Sequence, residues 1–109
     1  MIAVIYRAWV RPGQEERYGQ LWRLIADHFV SNRGALGSTL HRSEEGYFVI
    51  YSRWPDKHVW QDAWPEEGEE MPADIPPEIA SAIVSIRGCI DESEDAFESI
   101  VTHVIADKL

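Results

Sequence analysis

The sequence contains one cysteine, Cys89, in 109 residues, so the chain cannot form an internal disulfide. Structural disulfides are typical of secreted proteins, and this cysteine usage therefore predicts a reducing, cytoplasmic location. Cys89 lies in a helix-like segment, where we expect a buried hydrophobic side chain; a reactive thiol is the alternative. The first ten residues are apolar but lack a basic start and a cleavage site, so they predict a strand and not a signal peptide.

Basic residues are also scarce. Ten lysines and arginines stand against 19 aspartates and glutamates, which gives a formal net charge of -9. Such a surface repels phosphate groups, so we expect no nonspecific binding to nucleic acid or to an anionic membrane. The hydrophobic fraction of 45% is typical of a globular protein, and the length predicts a single domain over residues 1–109.

Clustered metal ligands are missing as well. The four histidines are scattered along the chain without an i, i+4 pair, so we predict no metal site. An acidic run at residues 66–70 lacks the ligand spacing of a calcium loop. We interpret the surrounding segment, residues 65–77, as an exposed loop because it contains four glutamates and four prolines. A second hypothesis is that this loop also covers a ligand pocket.

What the sequence does contain is a dense group of aromatic side chains. Residues 47–64 (YFVIYSRWPDKHVWQDAW) hold three of the five tryptophans. The first half alternates like a strand, and Pro55 then interrupts it before a short helix for which Asp56 is the expected N-cap. Large rings without nearby metal ligands favour an apolar pocket for a small molecule.

Hydrophobic periodicity divides the whole chain into strands and helices. The predicted order is a strand at 2–10, a helix at 14–32, strands at 36–43 and 47–54, helices at 56–64 and 77–90, and a strand at 96–106. This β-α-β-β-α-β order, with the second helical part divided in two, predicts a ferredoxin-like α+β fold. Its four-stranded antiparallel sheet would carry helices on one face.

The first and third predicted strands are apolar on both faces. In the first strand, Val4 and Tyr6 alternate with Ala3 and Ile5, and the third strand follows the same pattern. Strands with this pattern are usually covered on both sides. Because the helices can cover only one face, we expect a second copy of the chain to cover the other, in a homodimer.

Three stretches of the sequence also occur together in a known family. They are Val10–Gly13 followed by Glu16 and Tyr18, the strand region at residues 34–43, and the strand end at 51–54 that leads into the Asp56 helix. In this order they resemble the antibiotic biosynthesis monooxygenase-like domains of the dimeric α+β barrel superfamily, over residues 2–64.

The resemblance implies cofactor-independent oxygenation of a bulky phenolic or anthrone-like substrate in a pocket between sheet and helices. Such chemistry needs orientation, exclusion of water and a hydrogen bond to the developing anion. We therefore expect no cofactor. Haem is not expected either, since residues 65–70 lack the histidine that haem-degrading relatives carry in this region. The alternative function is a noncatalytic ligand-binding or stress-associated dimeric barrel.

Four aromatic residues are the predicted substrate-binding set. Trp60 stands where the family has a pocket-facing aromatic residue, and Trp64 is displaced by one residue from a family tryptophan or histidine. Trp22 and Tyr6 complete the set, although a plain core role is the alternative for the tryptophans. We place no residue of this chain at the position of the family's pocket asparagine.

Three further residues are the predicted catalytic set. Tyr51 and Arg53 are candidates for orienting a phenolate, and His103, in an otherwise apolar strand, is the candidate general base. The alternatives are a tyrosine at a dimer interface, an arginine near a helix start and a structural, hydrogen-bonded histidine.

Overall fold

A computed structural model of the chain describes residues 1–64, 70–91 and 99–107. Its elements in chain order are β1 (Ile2–Ala8), α1 (Glu15–Asn32), β2 (Gly37–Arg42), β3 (Phe48–Trp54), α2 (Lys57–Ala63), α3 (Pro77–Gly88) and β4 (Ile100–His103). The predicted order of helices and strands is confirmed. The last strand is shorter than predicted at its C-terminal end, and residues 96–98 of that prediction lie outside the described part.

The four strands form one antiparallel sheet in the order β2-β3-β1-β4. Ile5 of β1 pairs with Tyr51 of β3 on one side and with Ile100 of β4 on the other. This strand order, with three helices, confirms the predicted ferredoxin-like α+β fold. The two central strands are the two that the sequence predicted to be apolar on both faces.

The main core lies between one sheet face and the helices α1 and α3. Val4 and Ile50 project from the sheet and are almost completely buried, as are Phe29 of α1 and Ile83 of α3. Truncating a side chain packed in this way typically costs about 2–5 kcal/mol. Cys89 is also buried, as expected for a small hydrophobic residue.

The predicted cap of α2 and a glycine that follows α1 mark two helix ends. Asp56 caps α2, its carboxylate accepting a hydrogen bond from the backbone N–H of Val59 at 2.9 Å. Gly34 follows the end of α1 with a φ of 87°, a left-handed conformation that glycine adopts without strain. An added Cβ at Gly34 would come within 2.7 Å of Val59 Cγ1, so the absence of a side chain also lets α1 and α2 approach each other.

The segment that precedes α3 differs at one residue from the prediction of an exposed loop. Within its described part, residues 70–76, Ile75 is buried in the core. Asp74 pairs with Arg33, with 2.6 Å between Oδ2 and Nη1. Residues 70, 73, 74 and 76 are exposed and lie in a loop, as predicted, so the prediction was wrong for Ile75. Average composition could not show that a single isoleucine anchors a polar segment. The predicted loop residues 65–69 lie outside the described part.

Candidate functional site

A cavity of about 310 Å³ lies between the sheet and all three helices. Ligand pockets in proteins usually measure about 300–1,000 Å³, so this space suits a small molecule with a few rings. The cavity lies on the helix-facing side of the sheet, next to the main core. Most of its wall is apolar.

Aromatic side chains form much of the wall. They come from β1, α1, β3, α2 and the residue after α2, and they are Tyr6, Tyr18, Trp22, Phe29, Trp54, Trp60 and Trp64. On α1 three of them follow the helical repeat and so share one face. Phe29 is in edge contact with Trp64, at 4.7 Å between ring centroids, and lies 6.3 Å from Trp54.

Three serines, Ser38, Ser52 and Ser99, add polar atoms to the wall, and the first two take part in hydrogen bonds within the protein. The Ser38 hydroxyl donates to the backbone carbonyl of Tyr51 at 3.1 Å. The Ser52 hydroxyl accepts a hydrogen bond from the indole Nε1 of Trp54 at 3.0 Å, and both residues are buried. This bond holds the Trp54 ring in a defined orientation beside the cavity.

The two tyrosines of the wall are neutral hydrogen-bonding groups. Burial raises the pKa of Tyr6 and of Tyr18 well above the ordinary value of 10.0. For Tyr18, unfavourable interactions with the ionised forms of Tyr6 and Cys89 raise the pKa further. Both phenols therefore keep their protons at neutral pH. Within the described part of the chain, Arg87 at the end of α3 is the one charged residue in the wall.

The structure brings together the four predicted substrate-binding residues. Tyr6, Trp22, Trp60 and Trp64 all lie in the wall, although they are spread over 59 positions of sequence. Their role in binding stays a prediction. Sequence reasoning did not assign the other lining aromatics to the site. For Tyr18, a signal was available, because it shares the apolar face of α1 with Trp22.

The three predicted catalytic residues lie elsewhere. Tyr51 and Arg53 alternate with the wall residue Ser52 along β3, so they lie on the opposite sheet face. There Arg53 forms an ion pair with Asp107, with 2.5 Å between Nη2 and Oδ2. His103 is exposed on the edge strand β4, where it pairs with Ile2. None of the three belongs to the described wall, and their catalytic roles stay predictions.

Metal-ligand clusters and membrane-spanning helices are both absent from the described residues. In residues 1–64, 70–91 and 99–107, no three His, Cys, Asp or Glu side chains come together as metal ligands would. None of the helices described is long and apolar enough to cross a membrane.

The sequence profile of antibiotic biosynthesis monooxygenases matches residues 1–67. The chain belongs to this family. The matched region contains β1 to α2 and thus most of the aromatic wall, and it agrees with the resemblance predicted over residues 2–64. No curated protein has a significantly similar sequence.

Solved structures with the same fold include members of this family. SnoaB from Streptomyces nogalater, described as a cofactor-independent oxygenase, is 14% identical with a TM-score of 0.70, covering 98% of this chain and 95% of that one. A structure described as an antibiotic biosynthesis monooxygenase is 15% identical with a TM-score of 0.70, covering 97% and 100%. Rv0793 from Mycobacterium tuberculosis is 15% identical with a TM-score of 0.67, covering 99% and 98%. At these identities the likeness concerns the fold.

The present chain contains a single asparagine, Asn32. It is exposed in the last turn of α1, where its Nδ2 lies 3.3 Å from His28 Nδ1. It does not line the cavity, so no asparagine does so in this protein. A ligand in the cavity would meet tyrosine, serine and indole groups instead.

Proposed function

We propose that the protein is a cofactor-independent monooxygenase that oxidises a bulky phenolic or anthrone-like substrate in the aromatic cavity. The observation that carries this proposal is the 310 Å³ aromatic-walled space in a chain of the antibiotic biosynthesis monooxygenase family. The fold shared with SnoaB, a cofactor-independent oxygenase, supports it.

The proposed reaction is one in which the substrate itself supplies the electrons. An anthrone loses a proton from its methylene carbon to give a carbanion that is stabilised by the flanking rings, and this carbanion reacts with O₂. The carbon loses two hydrogens and gains one oxygen atom as a carbonyl. The second oxygen atom leaves as water with the two hydrogens, so no external reductant is required.

The cavity would contribute orientation and a dry environment. Trp22, Trp60 and Trp64 offer flat apolar surfaces for a ring system, and Trp54 is held by its bond to Ser52. Holding a reactant in one geometry and replacing water by fixed dipoles both lower a reaction barrier. His103 is outside the described wall. A general-base role for it therefore requires a substrate that extends to the sheet edge at β4.

Turnover measurements test the proposal. Metal-stripped protein is assayed with a panel of anthrones and hydroquinones, in air and under nitrogen. We expect oxygen-dependent product formation that falls in Trp60→Phe. The matched control is Trp9→Phe, because Trp9 packs against Tyr47, outside the cavity wall. A comparable loss in His103→Ala would support its role as a base.

Two outcomes would contradict the enzyme proposal. Equal product formation with and without O₂ would rule out oxygenation. Tight, saturable binding of panel compounds without any turnover would favour the alternative, a noncatalytic ligand-binding protein of the same fold. Cytoplasmic location stays a prediction from the cysteine usage.

We also propose that the protein is a homodimer that pairs through the sheet face opposite the helices. Ile5, Val49 and Tyr51 are half-buried on this face, and Ile100 beside them is 59% exposed. A charge placed at the centre of such an interface would be desolvated on association. Light scattering should therefore show a dimer that Ile5→Asp converts to monomer, whereas Val84→Asp on the exposed side of α3 has no effect. A wild-type protein that is monomeric at micromolar concentration would contradict the proposal.

A further inference from the structure

Tyr18 is a buried tyrosine whose hydroxyl group has no protein partner in the described part of the chain. The residue is 2% exposed, and its ring packs edge-on against Phe48 at 5.1 Å between centroids. No hydrogen bond joins its hydroxyl to another described residue. Among the described residues, side-chain polar atoms that lack both a partner and contact with solvent belong to His28, Ser43 and Arg53. The Tyr18 hydroxyl is not one of them, so it is not sealed off. Tyr18 lines the cavity and its hydroxyl is not sealed from solvent, so we infer that the hydroxyl faces the cavity.

A hydroxyl in this position is unusual on energetic grounds. Buried polar groups are nearly always hydrogen-bonded to protein or to water, and this hydroxyl has no partner among the described residues. A phenylalanine would fill the same space and make the same edge contact with Phe48. The oxygen atom therefore contributes nothing to the described packing, which is the pattern expected of a group that binds a ligand.

The protonation state of the Tyr18 hydroxyl determines what it can bind. Burial, and then the neighbouring Tyr6 and Cys89, raise the pKa of Tyr18, so the phenol stays protonated and can donate. Among the lining serines, the Ser38 hydroxyl already donates to the carbonyl of Tyr51, and the Ser52 hydroxyl already accepts a hydrogen bond from Trp54. A donor inside an aromatic cavity suits a ligand that combines rings with an oxygen acceptor.

We propose that the Tyr18 hydroxyl donates a hydrogen bond to an oxygen atom of the ligand, so that the cavity selects aromatic ring systems bearing a carbonyl or an ionised phenolic oxygen. This inference rests on the proposed function only in assuming that an aromatic ligand enters the cavity. A hydrogen bond from a neutral donor strengthens as the acceptor gains negative charge. Tyr18 would then also stabilise the anion formed when the substrate loses its proton.

A pair of unreactive probes isolates this bond. Fluorenone and fluorene share one three-ring frame and differ in the carbonyl oxygen, and tryptophan fluorescence reports their binding. We expect wild-type protein to prefer fluorenone, and Tyr18→Phe to lose about tenfold of that preference while its affinity for fluorene is unchanged. Tyr47→Phe is the matched control, since Tyr47 contacts Trp9 and does not line the cavity. Its preference should equal that of wild type.

Stability provides the second readout. Removing an unpaired buried hydroxyl should leave the ligand-free thermal midpoint of Tyr18→Phe equal to or above that of wild type, whereas loss of a structural hydrogen bond would lower it.

The outcomes separate this inference from the proposed function. A fluorenone preference that persists in Tyr18→Phe, equal losses of affinity for both probes, or a wild type without any preference would each overturn the role of Tyr18. If the preference falls as expected but no anthrone is oxidised, the role of Tyr18 stands and the oxygenase proposal fails. If anthrone oxidation and probe preference are both unchanged in Tyr18→Phe, the oxygenase proposal stands and the role of Tyr18 fails.

Discussion

Arg33 connects the end of α1 with the end of α2 and with the segment before α3, next to the cavity. Its replacement should show how far the cavity wall depends on these hydrogen bonds. Its guanidinium donates to the carbonyl oxygens of Asp62 and Ala63, each at 2.9 Å, and to Asp74 at 2.6 Å. The two carbonyls belong to the last turn of α2, where helical partners are lacking. Trp64 of the cavity wall follows directly in sequence, so Arg33 holds the segment that presents it.

The size of the effect follows from the exposure of the partners. The Asp74 side chain is 73% exposed, so its ion pair should contribute at most about 1 kcal/mol. The Arg33 side chain is only 10% exposed, and hydrogen bonds from a charged donor contribute about 1.5–3 kcal/mol each when buried. Because one of the two carbonyl bonds is itself exposed, we expect Arg33→Met to lower the free energy of unfolding by about 2–4 kcal/mol in total. For a domain of this size that corresponds to a fall of about 8–16 °C in the thermal midpoint.

Urea unfolding of three variants tests this reasoning. Asp74→Asn removes only the exposed ion pair and should cost less than about 1 kcal/mol. Arg33→Lys keeps the charge but cannot reproduce the planar fork, so its stability should be close to that of Arg33→Met. If Arg33→Met were no less stable than Asp74→Asn, the bonds to the α2 carbonyls would be without energetic importance and the argument would be refuted.

Two further predictions follow from the same structure. Gly34→Ala should destabilise the protein by more than about 1–2 kcal/mol, the cost of a left-handed alanine, because its Cβ would also meet Val59 at 2.7 Å. Gly13→Ala is the control, because Gly13 has a similar φ of 85° but no close neighbour. If urea unfolding showed the same loss of stability in both variants, the clash with Val59 would not contribute. The raised pKa values of Tyr6 and Tyr18 mean that the native state keeps protons that the unfolded chain loses, so stability should fall as the pH rises above the ordinary value of 10.0. Replacing both tyrosines by phenylalanine should flatten this decline in thermal midpoints between pH 9 and 11, and an unchanged decline would show that other groups cause it.

Much of the fold was predictable because local chemistry and periodicity act over short stretches of sequence. The helix predicted at 14–32, the break at Pro55 and the cap by Asp56 all appear in the structure where the sequence placed them. Four of the lining aromatics were also predicted, since large apolar rings at helix-facing positions have few other locations in a chain of this length. The burial of Ile75 was not predicted, because its sequence neighbours are polar and the core residues that bury it are distant in sequence.

The sequence by itself determined the order of elements, the sheet with two-sided apolar strands and the family, since each depends on residue type and spacing along the chain. Which face of the sheet carries the cavity was decided only by tertiary structure. Along β3, the side chains of each of the two faces are apolar enough to be buried. Packing of the helices against one face placed Ser52 in the cavity wall and left Tyr51 and Arg53 on the other face. In the same way, the position of the Tyr18 hydroxyl on the cavity wall depends on residues distant in sequence, because a buried polar atom gains or lacks a partner only when the chain has folded.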